Sequence, residues 1–235
     1  MDKPQYEPVK AKPQLLKNGC IISDNWRILL PEDDEWLNKE NGRMWLSQDH
    51  IVSFAAELLV TTKPTDNGAP LPETGYIVHH WLHSIPRDTP LLFPLSMWHA
   101  HQVAIANWSR QGPALPVGIW LRTCDKLEQL SALAPSTLAD LEVIAIRIPR
   151  FTDGRGFSLA TLLRTRLGYQ NEIRAYGDIV RDQIYYLSRV GFNAFVCPNP
   201  QQLRAGLSDF SETYQTSVTE PQPLFRRVPL WNAND

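Results

Sequence analysis

The chain has 235 residues, 43% of them hydrophobic, with a formal net charge of -2 and a pI near 6.3. This hydrophobic fraction can build a packed core and excludes wholesale disorder. The near-neutral charge argues against a nucleic-acid-binding protein. No apolar run approaches the roughly 18 residues of a membrane span, and the polar, proline-containing N-terminus shows no signal peptide.

The three cysteines, Cys20, Cys124 and Cys197, are scattered along the chain and include no C-x-x-C pair. This odd set predicts no disulfide framework, no zinc site and no iron–sulfur cluster. The sequence also carries no flavin, nicotinamide or haem signature. We therefore expect a cytoplasmic protein with no evident cofactor, and no nucleic acid or membrane among its partners.

The N-terminal part of the chain reads as a tail followed by a β-rich segment. Residues 1–15 contain three prolines and are predicted to be a mobile tail. The β-rich segment, residues 16–90, is predicted to begin with a hairpin. Its strands would be residues 20–22 and 26–30, joined by the Ser-Asp-Asn turn between them.

Two further features are predicted in this segment. Residues 47–59 have apolar side chains at helical spacing after a Ser or Asp cap, which predicts a short helix. Residues 61–87 begin with a stretch rich in Pro, Gly, Thr and Asn, which predicts an inserted surface loop.

From residue 91 the pattern changes to short apolar runs that alternate with amphipathic stretches. The predicted strands are 117–121, 143–148, 172–176 and 193–197, and the predicted helices are 95–108, 125–134, 158–167, 179–190 and 201–214. This alternation predicts an α/β domain over residues 91–222 with a mainly parallel sheet. Either an open three-layer sheet or a partial βα barrel fits, and residues 223–235 would be a C-terminal tail.

Ligands of parallel sheets bind beyond the carboxyl ends of the strands. The turn Thr-Asp-Gly-Arg-Gly follows the strand 143–148 there, and its glycines could free backbone amides while Arg155 adds a guanidinium fork. This predicts a site for a small oxyanion such as sulfite, sulfate or phosphate. The alternative is a tight turn in which Asp153 bonds its own backbone and Arg155 pairs with an acid. The assigned anion-binding or docking residues are Thr152, Gly154, Arg155, Gly156 and Ser158.

The next strand is followed by a second polar turn. Asp178 and Asp182 lie four residues apart across a helix start, with Arg181 between them. We assign Asp153 and Asp182 as candidate acid/base residues, and Arg174, Asp178 and Arg181 as further binding or docking residues. The structural alternative makes Asp178 a helix N-cap and Asp182 a salt-bridge partner.

Other candidate chemistry is weaker. His79 and His83 have the spacing of zinc ligands on a helix, but the nearby Gly75 and Pro86 disfavour a helix, so no metal site is assigned. Ser158 is not in a G-x-S-x-G elbow.

The second half of the chain carries a family resemblance. The matching runs are Phe151-Thr152-Asp153-Gly154-Arg155-Gly156-Phe157-Ser158, Arg174-Ala175, Gly177-Asp178, Arg181-Asp182-Gln183 and Gly191-Phe192. They resemble the bacterial family called domain of unknown function 934, whose members are described as oxidoreductases involved in sulfite reduction and are encoded beside the sulfite reductase hemoprotein. The resemblance implies a role in sulfur assimilation and supplies no catalytic residues. Members usually have cysteine where this chain has Val190, and residues 61–87 look like an insertion.

Three hypotheses follow. The first is an accessory protein or oxidoreductase of assimilatory sulfite reduction that acts with sulfite reductase and binds a sulfur oxyanion. The second is an enzyme that acts on a small anionic substrate with an Asp/Arg site at the carboxyl edge of the sheet. The third is a non-catalytic module that docks an acidic protein through its arginines.

Overall fold

A computed structural model describes residues 14–34, 37, 51–55, 81–131, 135–196, 200–208 and 215–227. The strands are β1 (Gln14–Lys17), β2 (Cys20–Ser23), β3 (Arg27–Pro31), β4 (Ile51–Phe54), β5 (Leu91–Pro94), β6 (Val117–Arg122), β7 (Val143–Ile148), β8 (Glu172–Gly177) and β9 (Ala194–Val196). The helices are α1 (Leu95–Arg110), α2 (Glu128–Ser131), α3 (Pro135–Ala139), α4 (Arg155–Thr165), α5 (Arg181–Arg189), α6 (Pro200–Gly206) and α7 (Leu224–Arg227).

All nine strands belong to one sheet, in the order β2-β1-β9-β8-β7-β6-β5-β3-β4. Six strand pairings are parallel, and the two made by β1, with β2 and β9, are antiparallel. The predicted α/β class is confirmed, but the expected mainly parallel sheet is mixed. The N-terminal strands join the same sheet as the predicted α/β domain.

The two faces of the sheet bury different kinds of core. On one face, strand residues such as Ile146 and Ile173 pack with residues of the helices, including Trp108, Leu163 and Leu187. On the second face, every member of the buried cluster lies in a strand. The helices therefore pack on one face within the described residues, as expected when neighbouring parallel strands follow one another with the same crossover handedness.

The predicted N-terminal hairpin is present with different strands. It pairs β1 with β2 through the turn Asn18-Gly19, whose φ angles of 48° and 77° are both positive. Asn-Gly is the preferred sequence of such two-residue turns. The segment predicted as the second hairpin strand is β3, which instead runs parallel to β4 and β5. The predicted tail is shorter than expected, since Gln14 already belongs to β1.

The helix predicted over residues 47–59 is wrong where the structure describes it, because Ile51–Phe54 is strand β4. A four-residue apolar run does not distinguish strand from helix by periodicity, and here pairing with β3 decides. The rest of that helix and most of the predicted insertion lie outside the described residues. Residues 81–84 are helical.

The strands and helices predicted after residue 91 are found with shifted ends. α4 begins at Arg155 rather than at 158, and α5 begins at Arg181 rather than at 179. The predicted helix over 125–134 is described as α2 alone, and residues 132–134 and 209–214 lie outside the description. Among the described helices, none combines the length and the apolar character needed to cross a membrane.

Candidate functional site

Three loops meet at the carboxyl edge of the sheet, after β6, β7 and β8. The Thr123 hydroxyl donates to the Asp153 carboxylate at 2.7 Å and joins the first two loops. The Phe151 N–H donates to the Asp178 carboxylate at 3.1 Å, and the Gln183 side-chain amide donates to the Phe151 carbonyl at 2.5 Å. The two polar turns found in the sequence therefore lie side by side.

Arg155 and Asp153 form an ion pair inside one of these turns. Nε and Nη2 of Arg155 donate to the two carboxylate oxygens at 2.8 and 2.7 Å. The hydrogen bond from the Arg155 side chain is the main reason why the pKa of Asp153 lies well below its usual range; partial burial opposes this effect and the Thr123 hydrogen bond adds to it. A carboxylate held in this way is a weak base, so the geometry does not favour Asp153 as the acid/base residue.

The glycines of the turn do not form an amide cradle. Gly154 has φ -73° and ψ -7°, and Gly156 already lies buried inside α4, where an added Cβ would contact Ile146 and Ile148. The Asp153 carboxylate also accepts the backbone N–H of Arg155 at 3.2 Å. The place proposed for an oxyanion at the start of α4 is therefore taken by the protein's own carboxylate, as in the tight-turn alternative.

The second turn also differs from its prediction. Asp178 is not the N-cap of α5, because it accepts the Phe151 N–H and Val180 occupies the cap position. Arg181 and Asp182 lie exposed in the first turn of α5. Thr152 and Ser158 are exposed as well. Asp182 therefore lies on an open surface and not in an enclosed site.

Arg174 lies away from the carboxyl edge, in the middle of β8 on the second face of the sheet. Its side chain is 1% exposed and bonds both oxygens of Asp24 at 3.0 Å and one oxygen of Glu172 at 2.6 Å. Lys17 pairs with the other Glu172 oxygen at 2.7 Å. Burial opposes the charge of Arg174, but the two carboxylates outweigh it and raise its pKa. Arg174, assigned above to binding or docking, is thus buried between two carboxylates and anchors the N-terminal segment.

A second buried ion pair was missed in the sequence. Arg147 lies in β7 and donates to Asp34 at 2.7 Å, with both side chains at least nine-tenths buried. Its guanidinium also lies 5.8 Å from the centroid of Trp120. The signal was an arginine in an otherwise apolar strand, which predicts a buried charge with a partner.

The exposed apolar side chains of the carboxyl edge were also missed. Phe151 is 52% exposed and Val180 is 36% exposed, and the Gln183 side chain bonds the backbone of both. Three exposed arginines belong to the same loops and helix starts. We define the carboxyl-edge patch as Arg150, Phe151, Arg155, Val180 and Arg181. The available signal was a phenylalanine between two polar residues, three positions after the end of β7.

Within the described residues, no group of three His, Cys, Asp or Glu side chains is placed to hold a metal ion. His83 is exposed, while His79 and Cys197 lie outside the described residues. A groove of about 500 Å³ lies at the opposite, amino-terminal end of the strands, lined by residues of α1, α3 and the start of β6, including Trp98 and Val103. None of the predicted site residues lines it.

Comparison with protein families confirms the resemblance. Residues 118–225, which run from β6 to α7, match the family described as "Bacterial protein of unknown function (DUF934)". A comparison of the whole chain with curated proteins finds no match.

Proposed function

We propose that this DUF934-domain protein is an accessory protein of assimilatory sulfite reduction that acts with sulfite reductase by docking rather than by catalysis. The pathway is the one that the family resemblance implies. The mode of action is supported by the carboxyl edge, where open α/β sheets bind their ligands.

One contrast at this edge supports docking over chemistry. The candidate acid/base Asp153 is held ionised by Arg155 and Thr123, and the other candidate, Asp182, is exposed. Phe151, in contrast, exposes half of its side chain beside arginines. Aromatic and arginine side chains are enriched at protein–protein interfaces. The described residues thus favour a contact surface over a catalytic centre.

The oxyanion part of the hypothesis has less support than the docking part. Arg155, its main candidate, already bonds both oxygens of Asp153. A sulfite or sulfate ion would meet only the outward N–H groups of Arg155, without enclosing backbone amides, because Asp153 occupies the inner side of the turn. The same argument weakens the alternative of an enzyme acting on a small anion.

Co-purification tests the proposal. The tagged protein is isolated under anaerobic, low-salt conditions from cells that express sulfite reductase, and the hemoprotein is measured by its absorbance. We expect the wild type to retain it and Phe151→Asp to retain at most about a tenth, a loss of the size caused by a hot-spot residue. Val103→Asp, at an even more exposed apolar position in α1, is the matched control and should retain it fully. No retention by the wild type, or equal retention by all three proteins, would refute the proposal.

A further inference from the structure

Ion pairs at the carboxyl edge are oriented with the acid inside and the base outside. The Arg155 side chain is 62% exposed, while its partner Asp153 is 11% exposed. Nearby, at the end of β6, the Arg122 side chain is 60% exposed and its partner Asp125 is 15% exposed. A molecule that approaches this edge therefore meets guanidinium groups, although the two loops are close to neutral when all charges are counted.

The inward carboxylates also fix the outward guanidinium groups. Asp153 holds Arg155 through two side-chain hydrogen bonds, and Asp125 bonds both the backbone N–H and the Nε of Arg122. Each pair leaves guanidinium N–H groups on the solvent side. Because the side chains are already oriented, less rotamer entropy is lost when they bind. Asp153 and Asp125 are thus positioning residues for two arginines.

An exposed apolar side chain, Phe151, lies between Arg150 and Arg155 in sequence, and its loop is fixed in the same way. Phe151 is bonded through its N–H to Asp178 and through its carbonyl to Gln183, so its loop is held on both sides. Val180 lies on the other side of the Gln183 amide. The exposed phenyl ring is therefore presented by a fixed loop, which is the property of a preformed anchor.

We infer that the carboxyl-edge patch receives an acidic protein segment that carries an apolar side chain between carboxylates. The apolar group packs on Phe151 and Val180, and the carboxylates bind Arg150 and Arg155. This inference rests on the proposed function and adds the chemistry of the partner surface. A nucleic acid fits less well, because the whole protein has a net charge of -2 and the exposed Asp182 lies beside the patch. Phosphate backbones select broad basic surfaces.

Retention on immobilised poly-L-glutamate tests this chemistry without sulfite reductase. We expect the wild type to be retained at about 20 mM salt and released near 150 mM, because screening shortens the range of exposed charges. Arg150→Glu/Arg155→Glu should lose at least about tenfold in retention. Arg110→Glu/Arg166→Glu changes the net charge equally at exposed positions on the opposite helix ends, and it should be retained like the wild type.

The outcomes distinguish binding of an acidic segment from binding of sulfite reductase itself. No retention of the wild type, or equal loss in both double variants, would overturn the acidic-partner inference. Stronger retention on an immobilised thymidine 20-mer than on polyglutamate would replace it with nucleic acid binding. If polyglutamate is bound through the patch but sulfite reductase is not co-purified, the acidic-partner inference stands and the proposed function fails.

Discussion

Arginine has three different structural roles in the second half of this chain. No lysine follows Lys126. Arg174 forms ion pairs with two buried carboxylates, Arg164 binds backbone carbonyl groups, and Arg155 presents a guanidinium group to solvent. The planar guanidinium group carries five N–H donors in a fixed geometry, which lysine does not offer. The same residue type can therefore be structural or accessible, and only its surroundings decide.

Hydrogen bonds between Arg164 and Gly191 connect α4 to the end of α5. Arg164 donates to the carbonyls of Tyr169 and Asn171 at 2.6 and 2.7 Å and to that of Gly191 at 2.9 and 3.1 Å. Burial lowers the pKa of Arg164, with the nearby Tyr169 opposing this effect. Gly191 ends α5 with φ +114°, and a Cβ there would lie 2.5 Å from Cγ of Arg164.

We expect Gly191→Ala to destabilise the protein by about 3 kcal/mol or more, because it combines backbone strain with a steric clash. Gly112→Ala is the matched control, since Gly112 has φ +65° and nothing within 4 Å of the added methyl group. Gly112→Ala should lower the free energy of unfolding by only about 1–2 kcal/mol, which is the strain of an L-residue in the left-handed region. Urea unfolding measures both, and equal losses would contradict the role given to Arg164.

Asp153 gives the stability of the protein a pH dependence. Its pKa is lowered in the folded state, chiefly by the hydrogen bond from Arg155. The ionised group therefore stabilises the fold above its unfolded pKa of about 3.9, and this contribution is lost as the pH falls toward the folded pKa.

We therefore expect Asp153→Asn to be less stable than the wild type at pH 7. This stability gap, the difference between the two proteins in the free energy of unfolding, should narrow progressively below about pH 4. Thermal unfolding at a series of pH values measures the gap. Asp140→Asn, which changes an exposed carboxylate after α3, should show a smaller gap at pH 7. A gap for Asp153→Asn that does not change with pH would show that the substitution acts through packing.

At the scale of elements, the N-terminal hairpin is held to β8 by charge as well as by strand pairing. β1 pairs with β9, and Lys17 from β1 reaches Glu172. Asp24, just after β2, lies 4% exposed against Arg174. Burial raises the pKa of the adjacent Tyr176, and Asp24 raises it further. The segment before β3 is thus locked to a strand 150 residues away in sequence.

Removing Arg174 takes the guanidinium group away from two buried carboxylates, Asp24 and Glu172. We expect Arg174→Leu to lower the free energy of unfolding by about 3–5 kcal/mol, the usual cost of breaking a buried pair. Lys17→Met should cost about 1 kcal/mol or less, because the lysine side chain is 39% exposed. Denaturant midpoints with equal slopes measure both losses. A loss below 1 kcal/mol for Arg174→Leu would contradict the locking role.

The elements that could be predicted from sequence are those decided by local pattern. The strands β6 and β7 are mainly apolar runs, each with one arginine, and α1 shows helical spacing over four turns. The neighbours of a strand in the sheet, in contrast, depend on residues that are distant in sequence. The local sequence of β3 predicts a hairpin strand, although β3 pairs with β4 and β5. The Asn18-Gly19 turn was a local signal for the true hairpin that was overlooked.

In the candidate site, too, only some features could be predicted from the sequence. The sequence located the carboxyl edge, because every strand of a parallel unit ends there. It could not separate Arg174, which is buried, from Arg155, which is exposed, since the difference depends on Asp24 across the sheet. The sequence also did not reveal that Arg155 pairs with Asp153. A turn of this sequence is equally compatible with Arg155 bound to an external anion.

At the scale of the whole molecule, the family match and the folding unit differ in extent. The match covers residues 118–225, but β6 at its start pairs with β5, and β9 near its end pairs with β1. The first residues of the chain thus complete one side of the matched sheet, and the middle of the chain completes the other. Leu15 and Leu92 also contribute to the core on the second face.

We expect residues 114–235, expressed alone, not to fold. The fragment would expose both outer strands of its sheet, which is a known route to aggregation, and it would leave Arg174 and Glu172 buried or solvated without Asp24 and Lys17. Circular dichroism should show no cooperative unfolding transition, in contrast to the full chain. Co-expression with residues 1–113 supplies β1 to β5 and should restore a soluble complex that unfolds cooperatively. A cooperative transition for the fragment alone would show instead that the matched domain is autonomous and that β1 and β5 are additions to its edges.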